Sequence, residues 1–405
     1  MKPFAYLLVA ASLLLGYGAA NAQGMLGIGH TGDFSENVPL TFDVRLSGGY
    51  DDIKYNSSSS GQPNLNSGFI EGGIGVAYSD NSLPLQYKIY GDVGALHYFE
   101  NEPGLQDIYY NTRLGFEVAY SVSRRLKISD NFYFAYEAEP DYGVGVSVGT
   151  FSGQYLYGYN NLNVAYAWTE RFSTTTSYTI DGIDYTNDPT IANSENHLEQ
   201  IIAQQVSYAL SRTTNLTAEY RFSMIRYSNG VVSNTTSNPD YVSHYAMIGV
   251  NQAWSPRLSA SLSVGAQFYE SNREDKVGPA AEASVDYKLS RKSSIRWYAQ
   301  AGYDPTLLGD YAANYAFHTG ITGSYRITDT FAVNAGIHYV YSMYDGYQDL
   351  GGFHENELDL TAGFTYNILK NLSVDANYSY TTISSELDSQ SYERNRVNVG
   401  LNATF

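Results

Sequence analysis

The sequence predicts an all-β protein: a transmembrane antiparallel up-and-down β-barrel of about 18 strands, with 16 or 20 strands as alternatives. Three observations support this. Apolar and polar residues alternate from about residue 40 onward, connections alternate between short and long, and tyrosines concentrate at the ends of the alternating segments. A period of two places alternate side chains on opposite faces of a sheet. Short turns on one side and longer loops on the other are typical of outer-membrane barrels.

The first 22 residues have the pattern of a secretory signal peptide. Lys2 precedes the apolar run 4–15, and the small residues Ala20-Asn21-Ala22 predict cleavage before Gln23. A membrane-anchoring helix is the alternative, but the apolar run is shorter than the ~20 residues that span a bilayer. We therefore expect secretion through the inner membrane.

The rest of the chain divides at the first alternating segment. Residues 23–39 are predicted to form a short periplasmic N-terminal segment, and residues 40–405 the transmembrane β-barrel. The predicted strands lie near 40–51, 68–79, 84–98, 107–121, 126–137, 155–168, 172–185, 195–210, 215–227, 241–254, 258–270, 279–289, 294–304, 314–327, 331–342, 355–367, 371–381 and 392–405.

Composition excludes several other classes of protein. The chain has 41 acidic and 23 basic residues, a formal net charge of -18, which argues against a nucleic-acid binder. The absence of cysteine excludes disulfide frameworks and thiolate zinc sites, and an aromatic fraction of 15% is too high for a disordered chain. A folded protein of another kind, a β-solenoid, propeller or secreted sandwich, remains the competing interpretation of the repeated strands.

The two faces of the predicted strands favour the membrane barrel. In the last segment, Val397, Val399 and Leu401 share one face, and Arg396 and Asn398 lie on the other. Across the strands we expect the apolar faces to stay uncharged, while the opposite faces carry acidic, basic and amide side chains. A face with that many polar groups cannot be a packed core, so we expect it to line a lumen.

Aromatic residues are predicted at both bilayer interfaces. Most short connections begin with Tyr, any residue, and an aliphatic residue or Trp, before a few polar residues. The aromatics expected at this interface are Tyr120, Tyr166, Trp168, Tyr208, Trp254, Tyr287, Tyr325, Tyr366 and Phe405. The tyrosines expected at the other interface are Tyr50, Tyr98, Tyr136, Tyr185, Tyr227, Tyr303, Tyr341 and Tyr380. Aromatic girdles of this kind flank the apolar band of outer-membrane barrels.

Several motifs resemble those of known bacterial proteins. The final strand, ending at Phe405, resembles the terminal signal of Gram-negative outer-membrane proteins that the barrel-insertion machinery recognises. The segment 46–52, the repeated tyrosine turns, and segments 195–198 and 206–211 resemble the β-barrel porin families often encoded beside exopolysaccharide genes. The resemblance implies the cell outer membrane as location, with membrane lipid, lipopolysaccharide and the insertion machinery as partners. Many porins are trimers, so a homotrimer is a further expectation.

An 18-stranded barrel is too wide for its side chains to fill, so the inward face is where function is expected. The predicted lumen-lining residues are Arg113, Glu117, Glu199, Glu219, Arg221, Glu282, Asp286, Arg296, His318, His338, Glu357, Asp359, Asp375 and Arg396. Acids outnumber bases among the predicted inward positions and the outer loops, in which we also place Asp51 and Asp52. This predicts a preference for cations. No connection is long enough to suggest a loop that folds inward.

Chemistry other than transport has little support in the sequence. Two histidines, His318 and His338, would lie directly opposite each other if Tyr325 pairs with Phe331, and could then hold a metal with Asp359. We interpret them instead as lumen-wall residues, and predict no enzyme activity, catalytic residue, metal or cofactor. If Tyr287 pairs with Ile295, Asp286 faces Arg296 in a structural ion pair.

The sequence thus predicts a porin-like outer-membrane channel for passive diffusion of small hydrophilic solutes. Saccharides are candidate solutes, and cations are expected to be preferred. The alternative is a non-conducting barrel with a structural role, or one that serves in adhesion or in an export assembly.

Overall fold

The computed structural model describes residues 40–56, 64–100, 107–138, 154–186, 196–228, 240–304, 311–347 and 351–405. They form one closed sheet of 18 strands, so the predicted fold class is confirmed. The strands are β1 Leu40–Tyr55, β2 Leu65–Asp80, β3 Leu85–Tyr98, β4 Ile108–Ser121, β5 Leu126–Ala138, β6 Gln154–Ala167, β7 Phe172–Tyr185, β8 His197–Ala209, β9 Thr214–Tyr227, β10 Tyr241–Ser255, β11 Leu258–Ser271, β12 Asp275–Tyr287, β13 Ser293–Asp304, β14 Tyr311–Arg326, β15 Phe331–Gly346, β16 Phe353–Leu369, β17 Leu372–Ser385 and β18 Tyr392–Thr404. The predicted signal peptide and segment 23–39 lie outside the described residues.

Each strand pairs antiparallel with its neighbours in sequence, and β1 pairs with β18 to close the barrel. That closing ladder runs from Asp43 opposite Thr404 to Tyr55 opposite Tyr392. In the described part of the chain, no helix is long and apolar enough to cross a membrane.

The recurring Ser or Thr of the short connections explains their shape. The Ser123 hydroxyl accepts hydrogen bonds from the backbone N–H groups of Arg125 (3.2 Å) and Leu126 (3.1 Å). Thr169 and Ser255 make the same pair of bonds in their own turns. A hydroxyl that bonds backbone two and three residues ahead stabilises a tight turn. The repeated sequence motif is therefore a turn motif.

Strands extend further than predicted at the end with the longer loops. The prediction ended β1 at residue 51 and β15 at residue 342, whereas the ladders continue to Tyr55 and Gly346. The reason is that the polarity of the two faces reverses there: the charged Lys54 is exposed on the outside of β1, and the apolar Ile53 is buried inside (2% exposed). Apolar outward residues end there although the ladder does not.

The outer surface is apolar over most of its area, as the alternation predicted. Leu46, Ile74 and Ile248 are exposed there at 53%, 58% and 68%. The expectation of an uncharged outer face is wrong on β1, where Asp52 and Lys54 point outward near the long-loop end, and on β5. Asp130 shares the outward face of β5 with Phe132, and accepts a hydrogen bond from Asn160 (2.8 Å). Its neighbours on β6 to β8 carry further outward amides and hydroxyls, so this sector of the wall is polar.

The tyrosines predicted at the outer interface divide between two environments. Tyr50 is exposed on the outside of β1 (43%). Tyr98, Tyr185 and Tyr227 instead point inward and are buried in clusters of aromatic and aliphatic residues. The sequence prediction was wrong for these three and for Tyr303, which packs against the same inward cluster as Tyr227, because position near a strand end does not specify which face a ring occupies. The inner face at the long-loop end is therefore aromatic.

Candidate channel lumen

Every residue predicted to line the lumen lies on the inward face of its strand, opposite the exposed apolar positions. These positions are Arg113 and Glu117 on β4, Glu199 on β8, Glu219 and Arg221 on β9, Glu282 and Asp286 on β12, Arg296 on β13, His318 on β14, His338 on β15, Glu357 and Asp359 on β16, Asp375 on β17 and Arg396 on β18. Period-two alternation specifies the face of a strand residue, and that is why the inward set could be found from sequence.

Arg221 joins two acids on different strands. Its guanidinium contacts Glu219 at 2.8 Å and Glu282, three strands away, at 3.0 Å. The same guanidinium lies over the Tyr245 ring, 5.2 Å from its centroid. Arginine suits this position because its planar fork can bond two carboxylates and stack on an aromatic face.

Arg113 makes a comparable contact on another part of the wall. Its Nε and Nη2 atoms each donate to one oxygen of Glu137 at 3.0 Å, and its guanidinium lies 5.2 Å from the Tyr133 ring centroid. Such bidentate pairs are among the stronger side-chain hydrogen bonds. Arg113 and Glu137 therefore neutralise each other at the inner face.

The most buried ion pair on the inner face was not predicted. Asp51, placed in an outer loop by the sequence analysis, lies inside β1 and is 0% exposed. Arg394 donates to it at 2.9 Å and 2.5 Å, Tyr98 donates at 3.0 Å, and Arg396 lies 3.8 Å away. The pair Asp51-Asp52 resembles a turn in sequence, and its partner is 343 positions away.

Several acids on the inner face take neutral hydrogen-bond partners. Glu199 accepts from Ser223 (2.6 Å), and Asp359 accepts from Thr381 (2.6 Å). Asp375 accepts from Asn402 at 2.8 Å. A hydroxyl or amide donor carries no positive charge, in contrast to the guanidinium at Glu137. Arginines lie further from two of these acids, Arg221 near Glu199 and Arg45 near Asp375.

The two histidines are not opposite each other, so that expectation is wrong. Tyr325 pairs with Val333, which places Val340 opposite His318 and Gly320 opposite His338. His318 Nε2 instead lies 2.5 Å from Asp304, and His338 Nδ1 lies 3.0 Å from the Tyr298 hydroxyl. Among the described residues, no three His, Asp or Glu side chains are grouped as metal ligands.

The register predicted for the preceding hairpin is confirmed. Tyr287 pairs with Ile295 and Asp286 with Arg296, whose charged groups lie 3.6 Å apart. Both side chains are about two-fifths exposed, at 42% and 39%. This is a solvated cross-strand pair of the kind that stabilises a ladder modestly.

The sequence suggested no loop that folds inward, and the element that does so is built from the ends of two strands. The outer ends of β13 and β14 separate from β12 and pack against the inner faces of β9 to β11, where Tyr303 and Ala313 contact a buried cluster that contains Tyr241 and Tyr269, while β14 stays paired with β15. The element is built from strand ends, so loop length gave no signal of it. A proline in β12 is the signal that could have found it.

These features define a class of protein: a transmembrane antiparallel barrel with a charged inner face on which two strand ends are packed. Comparison with known families agrees. Residues 120–405 match the family model described as "Putative beta-barrel porin 2". The chain belongs to this family and is a porin-like barrel of the outer membrane. No curated protein matches the chain.

The chain is also similar to solved outer-membrane structures. The Acinetobacter baumannii protein OccAB4 is 12% identical, with a TM-score of 0.48 over 92% of this chain and 100% of that one. Pseudomonas aeruginosa OccK9 (OpdG) is 10% identical, with a TM-score of 0.49 over 92% and 100%. Pseudomonas aeruginosa OpdK with vanillate is 10% identical, with a TM-score of 0.48 over 90% and 99%.

Proposed function

We propose that the protein is a passive channel for small hydrophilic solutes that prefers cations. The observation that carries the proposal is the asymmetry of the inner face. Arg113, Arg221 and Arg394 each bind one or more carboxylates, whereas acids such as Glu199, Asp359 and Asp375 bond neutral groups. A lumen in which acids outnumber bases attracts cations and repels anions.

Reversal potentials across planar bilayers in a KCl gradient test this proposal. We expect a potential displaced toward that of potassium. The double variant Glu199→Gln with Asp359→Asn should reduce the displacement, because it removes charge at two positions without removing side-chain volume. Asp286→Asn combined with Arg296→Gln is the matched control, since it removes both charges of an ion pair and leaves the net charge of the lumen unchanged. A wild-type potential displaced toward chloride contradicts the proposal, and a complete lack of conductance favours a structural or adhesion role.

Saccharides are the neutral solutes we propose. The inner face carries aromatic rings, among them Tyr133 and Tyr159, which stack with centroids 5.3 Å apart, and Tyr90, which packs against their cluster. Aromatic side chains with a few polar groups are typical of sites for organic ligands. Proteoliposome swelling with a disaccharide, compared with an amino acid, tests the idea. Equal swelling of liposomes with Tyr90→Leu and wild-type protein for both solutes would contradict it.

We also propose that copies of the chain associate, a homotrimer being the expected form. The polar sector on the outside of β5 to β8 supports this: Asn160 bonds Asp130, Tyr178 bonds Gln200 (3.0 Å), and Thr176 bonds Gln204 (2.7 Å). Polar side chains at bilayer depth are costly and favour contact with protein. Light scattering in detergent gives the oligomeric state. Asn160→Leu should weaken association if the sector is the interface, whereas Ile248→Leu on the apolar face should not.

Export and insertion are further proposals from the chain ends. We propose removal of residues 1–22 by signal peptidase, insertion of the barrel through recognition of the strand ending at Phe405, and contact of the outer surface with membrane lipid and lipopolysaccharide. Mass spectrometry of protein purified from outer membranes tests cleavage, for which Gln23 should be the first residue. Phe405→Ala should lower the amount of folded protein in the membrane.

A further inference from the structure

The ladder between β12 and β13 ends early. Paired residues run only from Tyr287 opposite Ile295 to Ala281 opposite Ala301. Both strands continue beyond that point, β12 back to Asp275 and β13 on to Asp304. On its other side, β12 stays paired with β11 up to Asp275. The wall therefore forks between β12 and β13 at the long-loop end.

Pro279 is the local cause of the fork. Continuing the observed register would place Pro279 opposite Tyr303, where each residue would donate an N–H to the other. Proline has no N–H, so this rung cannot form, and proline is confined to strand edges for that reason. The carbonyl oxygen of Pro279 accepts a hydrogen bond from the Tyr315 hydroxyl instead (2.9 Å).

Gln267 replaces the missing rung from another strand. The Tyr303 N–H donates to Gln267 Oε1 (2.6 Å), and Gln267 Nε2 donates to the Tyr303 carbonyl oxygen (3.0 Å). Gln267 lies on the inward face of β11 and is 0% exposed. Because β12 lies between β11 and β13 in the sheet, Tyr303 reaches Gln267 only by crossing the inner face of β12. Gly278 permits the crossing, since a Cβ there would lie 2.8 Å from the Tyr303 ring.

The neighbouring strand end follows β13 inward. Ala313 lies on the face of β14 that points outward nearer the short turns. At the long-loop end it packs instead with Ile225 and Tyr269, which point inward from β9 and β11. The Tyr269 hydroxyl donates to the Ala312 carbonyl oxygen (3.1 Å), and Arg273 donates to that of Tyr311 (2.7 Å). Ala312 and Ala313 are both 0% exposed. We call residues 302–304 and 311–316 the inward hairpin.

We propose that the inward hairpin is the movable constriction of the channel, with Ala281 and Ala301 as its hinge and Gln267 as the residue that holds it in the lumen. The inference rests on the proposed channel function. The hairpin is held against β9 to β11 by the cluster around Ala313 and by hydrogen bonds from side chains to backbone, each of which contributes little net free energy. Its β14 arm also stays paired with β15, up to Tyr311 opposite Gly346. Loss of the side-chain bonds would let the hairpin move toward the wall together with the outer end of β15, with that ladder intact, and its position sets the width available to a solute.

Two substitutions test the proposal by different routes. Gln267→Leu removes the bonds that hold Tyr303 inside, and Pro279→Val supplies the N–H that lets β13 pair with β12 along the wall. We expect each variant to raise single-channel conductance about twofold, since pore diameter controls permeation. Gln154→Leu is the matched control: Gln154 is also buried, and donates to the backbone carbonyl of Tyr110 (2.8 Å) on a different part of the wall. Heat-modifiable gel mobility confirms folding of each variant.

Amide hydrogen exchange separates this inference from the channel function. In Gln267→Leu, the amide of Tyr303 loses its acceptor, and exchange in residues 302–304 should rise about tenfold, as expected when a protecting bond is lost. If wild type conducts and both variants keep its conductance, the constriction proposal is overturned. If the wild type and all variants show no conductance, the proposed channel function is wrong, and amide exchange alone tests whether Gln267 holds the inward hairpin. Unchanged exchange in Gln267→Leu then overturns its role.

Discussion

The barrel has two unusual seams, and they differ in how they are sealed. The seam between β1 and β18, which joins the two ends of the chain, pairs over thirteen residues on each strand. The seam between β12 and β13, which lie next to each other in sequence, pairs over seven. The first joins strands that no turn connects, so only the ladder and side chains hold it. The second is tied by a short turn and can open at one end without opening the barrel.

The comparison teaches where this fold can accept a break. Closing the barrel brings together residues hundreds of positions apart, which carries a larger loop-closure cost than a hairpin does. Arg394 and Asp51 supply a buried, bidentate contact at that seam. At the hairpin seam, Pro279 removes a rung and three side chains, Gln267, Tyr315 and Tyr269, replace it. The first seam is held by a full ladder and a buried ion pair, and the outer part of the second by side-chain hydrogen bonds.

The largest effect is expected at the closing seam. Asp51→Ala removes the acceptor of two hydrogen bonds from the buried Arg394 guanidinium, so we expect the free energy of unfolding to fall by about 3–5 kcal/mol. Urea titration of the refolded barrel in detergent measures it. Asp52→Ala is the control. Lys54, the partner of Asp52, is solvent-exposed, so the free energy of unfolding should change little. Combining Asp51→Ala with Arg394→Leu should restore much of the loss, and a loss in Asp51→Ala no greater than in the control would refute the assignment.

A smaller effect is expected at the crossing point of the inward hairpin. Gly278→Val places a side chain where the Tyr303 ring lies, and overpacking of this kind costs about 1–3 kcal/mol. The same titration measures the change, and amide exchange in residues 302–304 should rise with it. Gly158→Val is the matched control, since a Cβ at Gly158 meets nothing within 4 Å. Equal stability of the two valine variants would mean that the ring does not cross β12 at Gly278.

The smallest effect is expected at Asp286 and Arg296, near the short turn that joins β12 and β13. Both are partly solvated, so Arg296→Gln should lower the free energy of unfolding by less than about 1 kcal/mol. It should also shift the reversal potential slightly toward that of the cation, because Asp286 is then uncompensated. An unchanged reversal potential would indicate that this pair does not face the conducting path.

The sequence predicted register where its turn motif was applied consistently. Tyr287 pairs with Ile295, and Tyr120, Tyr166, Tyr208 and Tyr325 likewise pair with the residue eight positions ahead. The pairing assumed for Tyr325 with Phe331 was two residues short, and this error created the apparent histidine pair. The hydroxyl-stabilised turn occupies a fixed number of residues, so one rule covers these five turns.

The buried aspartate and the inward tyrosines were harder to predict for a physical reason. Whether Asp51 lies in a loop or under a barrel wall depends on Arg394, at the other end of the chain. Whether Tyr98 contacts lipid or lumen depends on how far its strand rises above the apolar band. Local patterning specifies a face only where one face contacts hydrocarbon.

The sequence by itself determined the strands, their two faces, the short turns and the charged character of the inner surface, because period-two alternation and turn chemistry are local properties. Only the tertiary structure decided that Asp51 seals the closing seam and that the β13–β14 end lies inside the lumen. Both depend on partners contributed by distant strands: Arg394 for Asp51, and Gln267 for the rung that Pro279 cannot make. A missing N–H is visible in the sequence, but what replaces it is known only once the barrel has closed.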